Sequence, residues 1–243
     1  MPHFFIESAK NFDNKVVIDD VENYRHIAKS LRIRIGEKLL LIDENRMQYE
    51  TVVEQITSKS IICSVEKKYL SNRDLDFDLF LAQSPLRSDA QLTIMEKATE
   101  LGVRAVYPII TDNCVLNQSV LEKKHEKWQK VMYEASKQCE RAVIPTCYEC
   151  TDLESVLEES FDKILVLAER STEISLKQYL SKNPVKKGER VLVIIGPEGG
   201  FSPREFEFFK SKNLPLITLG DLILKAETAV IVSLGDIIYE YQG

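Results

Sequence analysis

From Leu79 onward, short apolar runs of strand length alternate with stretches of helical periodicity, and this rhythm restricts the fold more than any other feature of the chain. The order is LFLAQ, then DAQLTIMEKATEL closed by Gly102, VRAVYPII, a helix expected from about Val120 to Arg141, VIPTCY and KILVLAE. RVLVIIG, a helix after Ser202, LPLITLG and a helix from about Glu227 to Tyr241 complete it. Apolar runs without polar alternation suit strands buried on both faces, so the pattern predicts an α/β fold with a mostly parallel sheet between two layers of helices. The first seventy or so residues read differently. KVVIDD, EKLLLID, MQYETVVEQI and SIICSVE are strand-like runs at close spacing, which predict a small barrel or sandwich. Only VENYRHIAKSLRIR, stopped by Gly36, reads as a helix there. The charged stretch KKYLSNRDLDFD marks the boundary, giving a domain over 1–72 and a second over 73–243.

Charge and cysteine usage narrow the function classes. A formal net charge of -6 argues against a protein that coats nucleic acid by bulk electrostatics. Locally, Arg25, Lys29, Arg32, Arg34 and Lys38 face the single acid Glu37, a basic patch on the expected helix that suits a nucleic-acid backbone. The five cysteines, Cys63, Cys114, Cys139, Cys147 and Cys150, do not form a disulfide framework in a chain this long. Cys147 and Cys150 lack a second ligand pair, and His3, His26 and His125 are scattered, so no metal site is expected. No apolar run approaches the roughly 18 residues of a membrane span, and MPHFFIESAK lacks the features of an export signal. A cytoplasmic protein is expected.

GPEGGFSPREFEFF, residues 196–209, is the stretch that points to a ligand. RVLVIIG ends as a buried parallel strand, and Ser202-Pro203-Arg204-Glu205 has the cap, the first-turn proline and the capping-box acid of a helix start. Gly196, Gly199 and Gly200 therefore lie between a strand C-terminus and a helix N-terminus, where open α/β sheets bind ligands and where bare glycine backbone admits one closely. No Gly-Lys-Ser/Thr follows, and GPEGG is not GxGxxG. Glu198 opposes a phosphate, so a neutral or cationic ligand fits better. The plainer alternative is a tight turn into a capped helix. LITLGDLILKAETAVIV follows a further strand with an apolar segment able to wall a flat ring and offer it backbone hydrogen bonds, or else simply to fill core.

Gly196-Pro197-Glu198-Gly199-Gly200-Phe201-Ser202, with Leu219-Gly220-x-x-Ile223-Leu224-Lys225-x-Glu227-Thr228-Ala229 at this distance, resembles the RsmE family of 16S ribosomal RNA uridine N3-methyltransferases, members of the knotted SPOUT superfamily. Further matches are His26 to Arg32, Lys97 to Val103, and Glu134-Ala135-Ser136 with Gln138, Arg141 and Pro145, so the resemblance covers nearly the whole chain. It departs from the family pattern at Pro2-His3-Phe4, Ala90, Leu92, Asp221 and Lys225. The resemblance implies a trefoil-knotted catalytic domain, an exception to the rule that chains do not thread loops, and an N-terminal PUA-like RNA-binding barrel. It implies S-adenosyl-L-methionine as cofactor, at Leu167, Gly196, Glu198, Gly199, Gly200, Leu219, Gly220, Leu222, Ile223 and Leu224. It implies RNA contacts at His26, Lys29, Arg32, Arg34 and Arg87, and catalytic residues Arg141, Glu227 and Thr228.

The implied partners are 16S ribosomal RNA or the small ribosomal subunit and a second copy of the chain, with apolar surface on the last helix at Ile231, Leu234, Ile237 and Ile238 available for a dimer. If 120–141 is one helix, Glu134, Gln138 and Arg141 share a face. Arg141 then either stabilises charge on the uracil oxygens or joins a surface network. The proton acceptor is left between Glu227 and Glu198. Other outcomes compatible with the residues are a knotted methyltransferase acting on a ribose hydroxyl or on transfer RNA, and a non-catalytic RNA-binding protein of the same fold.

Overall fold

In the computed structural model, which describes residues 1–7, 11–12, 14–169 and 174–241, the chain divides into two units. The first comprises Met1–Asp74 with Lys137–Val143, and the second Leu75–Ser136 with Ile144–Gly243. The return of 137–143 to the first unit has no counterpart in the expected division at 72/73.

The first unit is a six-stranded mixed sheet of β1 (His3–Ile6), β2 (Asn11–Phe12), β3 (Lys15–Ile18), β4 (Lys38–Asp43), β5 (Met47–Ile56) and β6 (Ile61–Leu70). Their order is β1-β4-β5-β6-β3-β2, with β1 parallel to β4 and the other pairs antiparallel. Among the described residues no pairing closes β2 onto β1. Side chains alternate across each strand, so Phe4, Val16, Ile18, Leu39 and Leu41 meet Ile61 and Cys63 in one core. Ile27 and Ile33 join them from the connection between β3 and β4.

That connection corrects the expected helix over 21–34. Only α1 (Val21–Tyr24), capped by the Asp20 carboxylate on the Asn23 N–H, is α-helical, and Arg25–Ser30 continue as a π-helix. The Leu31 N–H donates to the His26 carbonyl at 2.9 Å, five residues back. Arg32 then takes φ 53, which ends the helix and lets Ile33 turn back to donate to the Ile27 carbonyl at 3.2 Å.

The second unit holds β7 (Asp78–Gln83), β8 (Ala105–Ile110), β9 (Thr146–Cys147), β10 (Thr151–Asp152), β11 (Lys163–Leu167), β12 (Ile174–Ser175), β13 (Arg190–Ile195) and β14 (Leu216–Thr218). The order is β10-β8-β7-β13-β11-β14-β12, with β9 also on β8. Every pairing is parallel, as the sequence rhythm predicts. The helices are α2 (Ser88–Glu100), α3 (Gln118–Glu122), α4 (His125–Gln138), α5 (Leu153–Val156), α6 (Leu176–Lys182), α7 (Pro203–Ser211) and α8 (Ala226–Tyr241). Leu79, Leu81, Val191 and Val193 pack with Ile94 and Met95 of α2, Trp128 and Met132 of α4, and Val230, Leu234 and Ile237 of α8. The alternate residues Phe80, Ala82, Leu192 and Ile194 meet Phe201, Phe209 of α7, and Leu153 and Val156 of α5, on the other face. A sheet covered on both faces accounts for strands that read as unbroken apolar runs.

Two expectations about helices change. The helix expected from Val120 to Arg141 is two, α3 and α4, and Glu140 at φ 56 turns the chain before Arg141. Arg141 therefore does not share a helical face with Glu134 and Gln138. On α8, Leu234 and Ile237 are fully buried in the core, which leaves Ile231 and Ile238 of the four residues expected to supply apolar surface. No helix among the described residues is long and apolar enough to cross a membrane.

Candidate functional site

A cavity of about 730 Å³ opens at the C-terminal ends of β11, β13 and β14. Parallel α/β sheets present ligand sites at this edge, because strand-to-helix loops converge there with free backbone amides. One wall is the glycine loop after β13, the other the segment after β14, and the floor comes from Leu167, Ala168 and Ile217.

The glycine loop is shaped by backbone needs that its residues meet. The Gly200 N–H donates to the Pro197 carbonyl at 2.8 Å in a tight turn, and Gly200 sits at φ 68, where a side chain is strained. A Cβ on Gly196 would lie 3.3 Å from the Phe201 ring. Ser202 then caps α7 with Pro203 at its start, and Glu205 completes the capping box expected from the sequence. Glu205 is buried and its two oxygens are both used. One accepts from the Ser202 N–H at 2.7 Å, the other from the Asp112 N–H at 3.0 Å.

Asp112 and Asn113, in the loop after β8, form a clamp that sequence reasoning missed. Asn113 Nδ2 donates to the Gly200 carbonyl at 3.0 Å and to the Gly199 carbonyl at 3.3 Å. The Asp112 carboxylate accepts from the Ser202 hydroxyl and from Arg204 Nε at 3.1 Å. Arg204, and next Ser202, hold the Asp112 carboxyl below its ordinary pKa. These contacts brace the Gly199 and Gly200 carbonyls from outside the cavity. Nothing local marks Thr111-Asp112-Asn113 as more than a turn, since its partners lie about ninety residues away.

The second wall begins with a turn in which the Gly220 N–H donates to Thr218 Oγ1 at 3.1 Å and the hydroxyl donates to the Gly220 carbonyl at 2.8 Å. Beyond it Leu222 and Ile223 are 80% and 62% exposed, so apolar surface faces open space beside the cavity. Glu169, at the end of β11, accepts from the Leu224 N–H at 3.0 Å and ties this wall to the sheet. Four charged residues line the cavity: Glu169, Glu198, Glu227 and Lys225. Three carboxylates against one ammonium favour a cationic ligand over a phosphate.

Of the residues expected to bind a cofactor, Leu167, Gly196, Glu198, Gly199, Gly200, Leu219, Leu222, Ile223 and Leu224 all line this cavity. Gly220 shapes the turn beside it without lining it. Glu227 lines it, whereas its neighbour Thr228 does not. Arg141 lies in the first unit, where its guanidinium is buried and pairs with Asp74 at 3.4 Å.

The residues expected to meet RNA fall into two groups. Arg25, Lys29, Arg32 and Arg34 are exposed along the π-helix and the turn after it, while Lys38 is drawn into an ion pair with Glu66 at 2.6 Å. His26 is half-buried, its Nδ1 3.3 Å from Lys137 Nζ. Arg87 stands exposed at the N-terminus of α2 in the second unit. Burial pushes the Cys147 and Cys150 thiols up to about 12, and among the described residues no group of three or more potential ligands could hold a metal.

The sequence profile described as RNA methyltransferase domain matches residues 73–238, and that described as RNA methyltransferase PUA domain matches 18–66. The chain is 27% identical to the ribosomal RNA small subunit methyltransferase E of Bacillus subtilis (strain 168), over 99% of this chain and 97% of that protein. A crystal structure described as that of a hypothetical protein superposes with a TM-score of 0.88 at 26% identity, covering 99% of this chain and 98% of that one. The ribosomal RNA small subunit methyltransferase E of Neisseria gonorrhoeae bound to S-adenosyl methionine superposes with a TM-score of 0.84 over 98% and 97% of the two chains. At 20% identity this last likeness speaks for the fold.

Proposed function

Because the chain belongs to the RNA methyltransferase family, we propose that it transfers the methyl group of S-adenosyl-L-methionine to N3 of a uridine in 16S ribosomal RNA of the small subunit. The observation that carries this reading is the cavity itself. Its glycine loop offers backbone without side chains, its second wall is apolar, and its charged lining is mostly carboxylate. Those are the features an adenosine bearing a sulfonium and an ammonium requires, and the residues present fit it.

When bound, the cofactor supplies an electrophilic methyl group. The protein's part is to hold that group in line with the acceptor nitrogen and to exclude water. The clamp of Asp112, Asn113 and Glu205 keeps the glycine loop in shape before binding, so little ordering remains to be done on association. Uridine N3 lies on the Watson–Crick edge, so the base must be unpaired or turned out before transfer, and its proton must leave. Glu227 and Glu198 both line the cavity, and the proton acceptor is one of this pair. The burial of Arg141 beside Asp74 favours a structural role. Lys29, Arg32 and Arg34 supply phosphate contacts from the PUA-like unit. The same reading extends to a trefoil-knotted C-terminal chain, a homodimer and work in the cytoplasm.

Labelled methyl transfer onto small ribosomal subunits from cells lacking the endogenous enzyme, followed by mass analysis of nucleosides, tests the proposal. Label in 3-methyluridine supports it. Label on a ribose hydroxyl or in transfer RNA, or no transfer, overturns it.

A further inference from the structure

We propose that Glu169 is a cofactor-binding residue that reads the ribose hydroxyls, an inference that rests on the methyltransferase reading and deepens it. Glu169 lies just past the C-terminal end of β11 and lines the cavity. One carboxylate oxygen accepts from the Leu224 N–H at 3.0 Å, so the carboxylate is fixed beside the apolar wall of Leu222 to Leu224. Among the described residues, no other hydrogen bond or ion pair engages it. A carboxylate has about four acceptor sites, so one backbone contact leaves most of its capacity unused.

The position selects the donor. The apolar wall with its backbone amides is where a flat adenine ring can lie, and the ribose is the next group along the nucleoside. An acid at a strand end of an open α/β sheet is well placed to accept from a ribose diol. Oε1 holds the wall and Oε2 accepts from a hydroxyl, so closure of the wall and recognition of the sugar depend on one side chain. Glu198, on the opposite loop, is left for the cationic end.

Calorimetry tests this with wild type, Glu169→Gln and Glu169→Ala, using S-adenosyl-L-methionine and 5′-methylthioadenosine. The second probe keeps adenine and ribose and lacks both ammonium and sulfonium. Wild-type binding of S-adenosyl-L-methionine is measured first, and its absence would fail the methyltransferase reading rather than this one. Given that binding, Glu169→Ala weakens both ligands by a similar factor, about tenfold to a hundredfold, as for loss of a hydrogen bond to a charged acceptor. Glu169→Gln keeps its one carbonyl for the Leu224 N–H and presents an NH2 donor, not an acceptor, to the sugar, so it recovers only the part of the loss that comes from the wall, equally for both ligands. Thermal unfolding of each variant without ligand controls for misfolding. Unchanged affinity in Glu169→Ala overturns the inference. So does weakening confined to S-adenosyl-L-methionine, which would assign the carboxylate to the ammonium or sulfonium instead.

Discussion

Replacing Gly200 by alanine should loosen the glycine loop by a predictable amount. At φ 68 the residue occupies the left-handed region, and a Cβ there would meet nothing within 4 Å, so the effect is conformational and not a clash. That conformation costs an L-residue about 1–2 kcal/mol. The smaller freedom of unfolded alanine offsets about 0.4–1 kcal/mol of it. A net destabilisation on the order of 1 kcal/mol lowers the unfolding midpoint by about 2–4 °C. If the loop relieves the strain by shifting, the same energy appears as an approximately fivefold loss of affinity for S-adenosyl-L-methionine. Asparagine tolerates left-handed backbone better than alanine, so Gly200→Asn should lie between the two. Thermal unfolding without ligand and calorimetric titration with the cofactor measure both effects. A Gly200→Ala protein with both the stability and the cofactor affinity of wild type, or a Gly200→Asn protein worse than Gly200→Ala, would show that the left-handed backbone at this position carries no such cost.

Glu205→Ala removes the acceptor of two backbone N–H groups and should cost about 2–4 kcal/mol in chemical denaturation, a lost cap plus a stranded Asp112 amide, while Glu205→Gln, which keeps one acceptor and turns an NH2 donor toward the other N–H, recovers only part of that loss. His3 is buried among Lys137, Glu140 and Arg73, and burial lowers its pKa below the usual 6.5. The unfolded chain then binds a proton that the folded one refuses, so stability is full above about pH 6.5 and falls as the pH drops toward the folded value. His3→Gln should flatten this slope, and an unchanged profile of unfolding midpoint against pH would count against it. Replacing Lys29, Arg32 and Arg34 together should lower the log–log salt dependence of ribosomal RNA binding by about 2 while leaving cofactor affinity alone, read by titration at several salt concentrations.

Local chemistry carried most of what could be read ahead of the structure. Leu79 to Gln83 and Arg190 to Ile195 bury alternate residues in two different cores, so each reads as one apolar run, and their parallel pairing follows from the helices between them. The glycine loop and the capped start of α7 are likewise local, because turn, cap and first-turn proline lie within a few residues. What was missed depends on distant partners. Arg25 to Ser30 have helical composition, and the wider π-turn answers to Ile27 and Ile33 meeting in the core. Glu140 and Arg141 continue the periodicity of α4, yet ion pairs of Arg73 with Glu140 and Asp74 with Arg141 take the chain out of the helix. Asp112, Asn113 and Glu169 reach the site across 55 to 93 residues, and no spacing rule connects such positions.

The most direct test is a crystal structure grown with S-adenosyl-L-methionine. The nucleoside should lie between the Gly196–Gly200 loop and the Leu219–Leu224 segment, adenine against Leu222 to Leu224 and ribose at Glu169, with the Asn113 contacts to Gly199 and Gly200 intact. A cofactor bound elsewhere, or a loop that must leave Asn113 to admit it, would contradict this placement.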